Sequence, residues 1–124
     1  MKYCSYLCIA LGNCAYCIIY FMNPFLELGI REEVVKAISE LGFEKPSEIQ
    51  EKAIPVLLTG SDDFVGLAQT GTGKTAAFGL PLLEQLDFSQ RHPQALILCP
   101  TRELCLQISK DLEKYAKYVD NVNV

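Results

Sequence analysis

The sequence predicts an α/β fold: a parallel sheet with helices on both faces, left incomplete within these 124 residues. Three observations carry that expectation. Phe64 to Leu67 and Ala95 to Cys99 are short continuous apolar runs, the pattern of strands covered on both faces. Each run leads into helix-compatible sequence, Ala76 to Leu86 after the first and Pro100 to Val119 after the second, so strand and helix alternate. Half of the residues are apolar and 21% are charged, a globular balance that provides for about one domain with its own core.

Residues 1–22 read differently from the rest. No charge occurs between Lys2 and Glu27, and Tyr3 to Phe21 is an apolar block of 19 residues, near the ~20 needed to span a bilayer as a helix. The charges oppose productive insertion. Lys2 and the amino terminus would hold the N-terminal flank in the cytosol and export everything beyond Glu27. No small-x-small cleavage site precedes Asn23. Residues 1–21 are expected to be an upstream extension before a start at Met22, with a membrane segment as the alternative; membrane attachment is not expected. Cys4, Cys8, Cys14 and Cys17 have the count for a thiolate metal site but lack the polar and glycine turns such sites use, so none is expected.

Residues 23–124 are expected to form the folded domain. Asn23-Pro24-Phe25 reads as a turn carrying an aromatic. From Arg31 to Leu41, Val34, Val35, Ile38 and Leu41 recur at helical spacing, and Gly42 follows where a C-terminal cap belongs. A second helix is expected from Pro46 and Ser47, burying Ile49, Ala53, Ile54, Leu57 and Leu58 and bent at Pro55. Thr59 to Asp63 is a polar turn, with Asp62 and Asp63 solvated. The helix after the first strand is expected to kink near Pro81. Asp87 to Gln94 is a polar connection in which His92 sits at the surface. The last helix is expected to run through Val119, and Asn121 to Val124 to begin a third strand. Cys99, on a strand, and Cys105, on a helix, are expected to be inert; the domain reads as reduced and intracellular.

Between the first strand and its helix lies Ala68-Gln69-Thr70-Gly71-Thr72-Gly73-Lys74-Thr75. Strand, glycine loop and helix in that order form the context of a phosphate-binding loop. Gly71 and Gly73 let backbone amides approach an anion, and the following helix directs its free amides and dipole at the same point. Lys74 supplies a point charge for β- and γ-phosphates, and the Thr75 hydroxyl can ligate Mg²⁺. The generic pattern begins with glycine, and here that position is Ala68. The loop implies binding of a nucleoside triphosphate. Eleven Lys and Arg against fifteen Asp and Glu, a net charge of −4, exclude a broad basic nucleic-acid surface.

Three stretches together resemble the N-terminal part of the DEAD-box RNA helicase family. Gly42-Phe43-Glu44-Lys45-Pro46-Ser47-Glu48-Ile49-Gln50 is similar to that family's Q motif, with Phe25 at the place of its isolated upstream aromatic. Ala68 to Thr75 is the family's own form of the phosphate loop, which accounts for Ala68. Pro100-Thr101-Arg102-Glu103-Leu104 is similar to its motif Ia. The resemblance implies a RecA-like domain in part, ATP and Mg²⁺ as cofactors, RNA as a sequence-independent partner and a cytoplasmic setting. It implies Phe25, Phe43, Lys45, Gln50, Gln69, Thr70, Gly71, Thr72, Gly73, Lys74 and Thr75 as nucleotide contacts. Lys74 would be the catalytic residue, Thr75 the metal ligand, and Pro100, Thr101 and Arg102 the RNA contacts. The chemistry agrees. The Gln50 carboxamide can pair with both a donor and an acceptor of adenine, Phe43 offers a flat face, and a strand-to-helix switch at Thr101 can hold phosphates. The alternative is a non-catalytic nucleotide-binding fragment, with or without a membrane tether. The Asp-Glu-Ala-Asp segment that the family uses in hydrolysis does not occur in these residues, so ATP hydrolysis at a helicase-like rate is not expected of this chain alone.

Overall fold

A computed structural model describes residues 23–60, 63–90 and 92–124. The 1–22 block, its four cysteines and Asp62 of the polar turn lie outside the described residues. Among those described, five helices follow in order: α1 (Pro24–Glu27), α2 (Glu32–Glu40), α3 (Glu48–Thr59), α4 (Lys74–Gln85) and α5 (Arg102–Tyr115). No helix among them is long and apolar enough to cross a membrane.

The expected turn at Asn23 is instead the cap of a short helix. The Asn23 side-chain oxygen accepts from the Phe25 amide at 3.0 Å, and Pro24 occupies the first turn, where its missing N–H costs nothing. α2 forms where the apolar spacing placed it. Glu32 and Glu33 favour its positive end, and Val34, Val35, Ala37 and Ile38 bury its inner face. It ends in a Schellman pair: the Gly42 amide donates to Ser39 O and the Phe43 amide to Ile38 O, each at 3.1 Å. α3 runs through Pro55 to Gly60, burying Gln50, Ala53 and Ile54; Ile49, Leu57 and Leu58 are only half-buried. The last helix stops at Tyr115, four residues short of Val119. Its turn at Ala116 closes on Leu112 O and Lys114 O.

The helices share one core. Phe25, Val34, Val35 and Ile38 meet Ile54, Leu80, Leu83 and Leu112, and burying each such side chain contributes about 1.5–3 kcal/mol. The most extensive helix–helix contact joins α3 and α4. Arg31 ties the start of α2 to the end of α4. Its amide and Nε donate to the two Glu84 carboxylate oxygens (2.9 and 3.0 Å), Nη2 donates to Glu84 O (3.1 Å), and the guanidinium lies over the Phe88 ring.

The parallel sheet is not formed among the described residues. Residues 64–67 and 95–99 belong to no helix, and no ladder pairs them. Ile97 and Cys99 pack against the core while Leu96 and Leu98 face outward, 83% and 86% exposed. Val65 and Leu67 are bare in the same way. Over residues 96–99 the alternation is that of a strand with one face covered, and a ladder requires a neighbour 4.7–4.9 Å away on the hydrogen-bonding edge. Residues 121–124 form no strand either, because Asn121 adopts a left-handed turn at φ +62°. Cys99 is half-buried and Cys105 exposed; burial and then the neighbouring Cys105 thiol push the Cys99 thiol above its usual range.

Candidate functional site

Two stretches far apart in sequence build one cleft of about 490 Å³. One wall is the connection from α2 to α3: Leu41 to Ser47 and Gln50. The other is the tip of the glycine loop, Gly71, Thr72 and Gly73. The Schellman end of α2 aims Phe43 at the cleft. Ser47 caps α3, and its amide donates to the Gln50 side-chain oxygen at 2.9 Å, the reach-back half of a capping box.

The N-terminus of α3 braces the loop. Ser47 Oγ donates to Thr72 O at 2.9 Å, and Gln50 Nε2 donates to Gly73 O at 3.0 Å. Gly73 takes φ +85° as the cap of α4, and a Cβ there would stand 2.4 Å from Gln50 Nε2. Within the loop, Thr72 Oγ1 donates to Gln69 O at 2.7 Å. Lys74 Nζ donates to Ala68 O and to Gln69 O, the latter at 2.5 Å. The ammonium is thus folded over the loop by two carbonyls, with no carboxylate pairing it among the described residues.

The structure gathers Phe43, Lys45, Gln50, Gly71, Thr72 and Gly73 around the cleft. Gln69 and Thr70 are exposed on the same loop, and Thr75 is half-buried in the first turn of α4. Two of the expected contact residues are buried. Phe25 is fully buried, with its ring centroid 6.2 Å from that of Phe43, so it offers no surface to a ligand and supports Phe43 from behind. Gln50 is not an open hydrogen-bonding edge: it is 3% exposed and both carboxamide atoms are engaged. Each retains one unused site, a second N–H and a second lone pair. Pro100, Thr101 and Arg102 are exposed and do not line this cleft. The Thr101 hydroxyl accepts from the Leu104 amide at 3.3 Å as the α5 cap, and Arg102 has no ion pair with a described residue. Ser47 is the contact that sequence reasoning left out; its cap position is the signal that pointed to it. No group of His, Cys, Asp or Glu among the described residues could hold a metal by itself.

Comparison with known proteins places the chain in a family. Residues 47–124, well over half of the chain, match the family model described as DEAD/DEAH box helicase. The ATP-dependent RNA helicase DeaD of Haemophilus influenzae is 52% identical over 100 residues, covering 81% of this chain and 16% of that protein. Among solved structures, Saccharomyces cerevisiae Dbp5 bound to RNA and ADP BeF3 is similar at a TM-score of 0.73 and 41% identity. That match covers 77% of this chain and 25% of the Dbp5 chain. A DEAD box protein from Methanococcus jannaschii matches at a TM-score of 0.70 and 42% identity over 73% of this chain and 25% of its own. The chain spans about a sixth of the length of the H. influenzae relative. With the family model matched over residues 47–124, the chain belongs to the DEAD/DEAH box helicase family.

Proposed function

We propose that residues 23–124 are part of a RecA-like domain and form the ATP-binding and RNA-contacting segment of an ATP-dependent RNA helicase acting in the cytoplasm. The observation that carries the proposal is the pairing of Ser47 and Gln50 with the carbonyls of Thr72 and Gly73, which joins the cleft to the glycine loop. Phosphates fit the loop because α4 begins there with its amides free and the Lys74 ammonium lies over it. In the bound state Lys74 would exchange its two carbonyl partners for phosphate oxygens, a stronger charge-assisted contact. Thr75 would present its hydroxyl to Mg²⁺, which supplies charge neutralisation of the phosphates.

The adenine would lie against Phe43, flanked by Lys45, and take the unused N–H and lone pair of Gln50. Gln69, Thr70, Gly71, Thr72 and Gly73 would supply the loop's remaining contacts. RNA would meet Pro100, Thr101 and Arg102 at the α5 N-terminus, where helix amides and a guanidinium with no ion pair among the described residues suit phosphate without reading bases. The resemblance to an ATP-dependent RNA helicase of Haemophilus influenzae and to a Dbp5 structure bound to RNA and ADP BeF3 supports this assignment. Titration of a fluorescent ATP analogue tests it: the chain binds, and Lys74→Ala abolishes binding. Unchanged affinity in Lys74→Ala would remove the loop from the site.

A further inference from the structure

We infer that Tyr115 is a positioning residue for base recognition, fixing the Phe43 ring as a wall of the cleft. The inference rests on reading the cleft as an adenine site. Phe43 is the one aromatic side chain among the cleft-lining residues, and it is held from three directions. The Schellman bond from its amide to Ile38 O fixes its backbone. Phe25 backs its ring at 6.2 Å and 59°. Tyr115 meets it edge to face, with centroids 6.0 Å apart and the planes at 77°, the arrangement favoured by the aromatic quadrupole. Phe25 and Tyr115 are 0% and 6% exposed, so neither reaches a ligand; they act through Phe43.

The position of Tyr115 is itself determined by close packing of α4 on α5. A Cβ on Gly79 would lie 2.7 Å from Leu112 Cδ2 and 3.8 Å from two Tyr115 ring carbons, so glycine there lets α5 approach. Burial, followed by the charge of Asp111, pushes the Tyr115 phenol up to about 12, and the ring stays uncharged at ordinary pH. Tyr115 lies at the end of α5 opposite Thr101 and Arg102. One helix therefore carries the proposed RNA contact at its start and the support of the base wall at its finish.

A base-dependent measurement separates this role from general packing. ATP reports loop and base together, whereas inorganic tripolyphosphate reports the phosphate loop without a base. Affinities for both are measured on the full 124-residue chain and on Tyr115→Leu, Tyr115→Phe, Phe43→Leu and the Phe43→Leu/Tyr115→Leu double variant. Tyr115→Leu should weaken ATP binding roughly two- to tenfold, the scale of one lost aromatic pair, and leave tripolyphosphate affinity unchanged. Tyr115→Phe should retain both, and Tyr115→Leu should have no further effect once Phe43 is Leu. If Tyr115→Leu does not fold, Tyr115→Met carries the same comparison. Equal loss of both ligands would make Tyr115 a packing residue and overturn the inference. Retention of the ATP preference in Tyr115→Leu would overturn it and leave the adenine reading intact. A wild-type chain that binds tripolyphosphate as well as ATP would overturn the adenine reading, and the inference with it.

Discussion

Gly73→Ala tests the brace between α3 and the glycine loop. Two costs are expected, and they are separable. An alanine at φ +85° carries the left-handed backbone penalty, about 1–2 kcal/mol. Its Cβ would also stand 2.4 Å from Gln50 Nε2. A flexible side-chain end usually yields cheaply, but Gln50 is 3% exposed and held at both carboxamide atoms. Moving it disrupts its bond to Gly73 O, its bond from the Ser47 amide, or both, at about 1 kcal/mol each. The total is about 2–4 kcal/mol, read as a lowered urea midpoint with unchanged slope. Gly71→Ala is the control. Gly71 has φ +80°, and a Cβ added there would meet nothing within 4 Å, so only the backbone penalty, about 1–2 kcal/mol, should appear. In a Gln50→Ala background the excess cost of Gly73→Ala over Gly71→Ala should vanish. An excess that is absent in the wild-type background, or that survives Gln50→Ala, would refute the brace.

Two further outcomes follow from the ion pairs. Glu84→Ala should destabilise the chain by about 2–3 kcal/mol in urea denaturation, because it removes both side-chain acceptors from Arg31 in a pair whose side chains are 30% and 13% exposed. Glu40 is held below its ordinary 4.5, first by the Lys117 ammonium and then by the Tyr118 hydroxyl. A depressed folded value means that its contribution is complete above 4.5 and fades as pH falls through the lower folded value. Glu40→Gln should therefore lower the melting temperature slightly at pH 7 and in a salt-sensitive way, with the difference shrinking as the pH falls below 4.5; a difference that does not shrink in acid would contradict the pairing.

Four of the five described helices were legible because their signals are local, whereas the short Pro24–Glu27 helix read as a turn. Apolar spacing gave α2 and its glycine cap, and the Ala68–Thr75 stretch gave the loop with α4 behind it. The Q-like stretch pointed to Phe43, Lys45 and Gln50, and all three line one cleft in the structure. Partners that depend on tertiary packing were not legible. Nothing in the local pattern of Gln50 shows that its carboxamide is spent on Gly73 O, or that Phe25 is wholly enclosed. Tyr115 reads as one apolar position on an amphipathic helix, and only the fold brings it to Phe43. The strands illustrate the same limit. Apolar runs identify segments 64–67 and 95–99, but pairing depends on which neighbours lie beside them, and among the described residues none is paired.

The central claim, that the cleft between residues 41–50 and the glycine loop receives an adenine nucleotide, is tested most directly by competition. A fluorescent ATP analogue bound to the chain is displaced by unlabelled ATP or GTP, with Lys74→Ala as the non-binding baseline. ATP should displace it at lower concentration than GTP, and Gln50→Ala should narrow the gap by removing the remaining carboxamide donor and acceptor. Equal displacement by ATP and GTP in the wild-type chain would contradict the account.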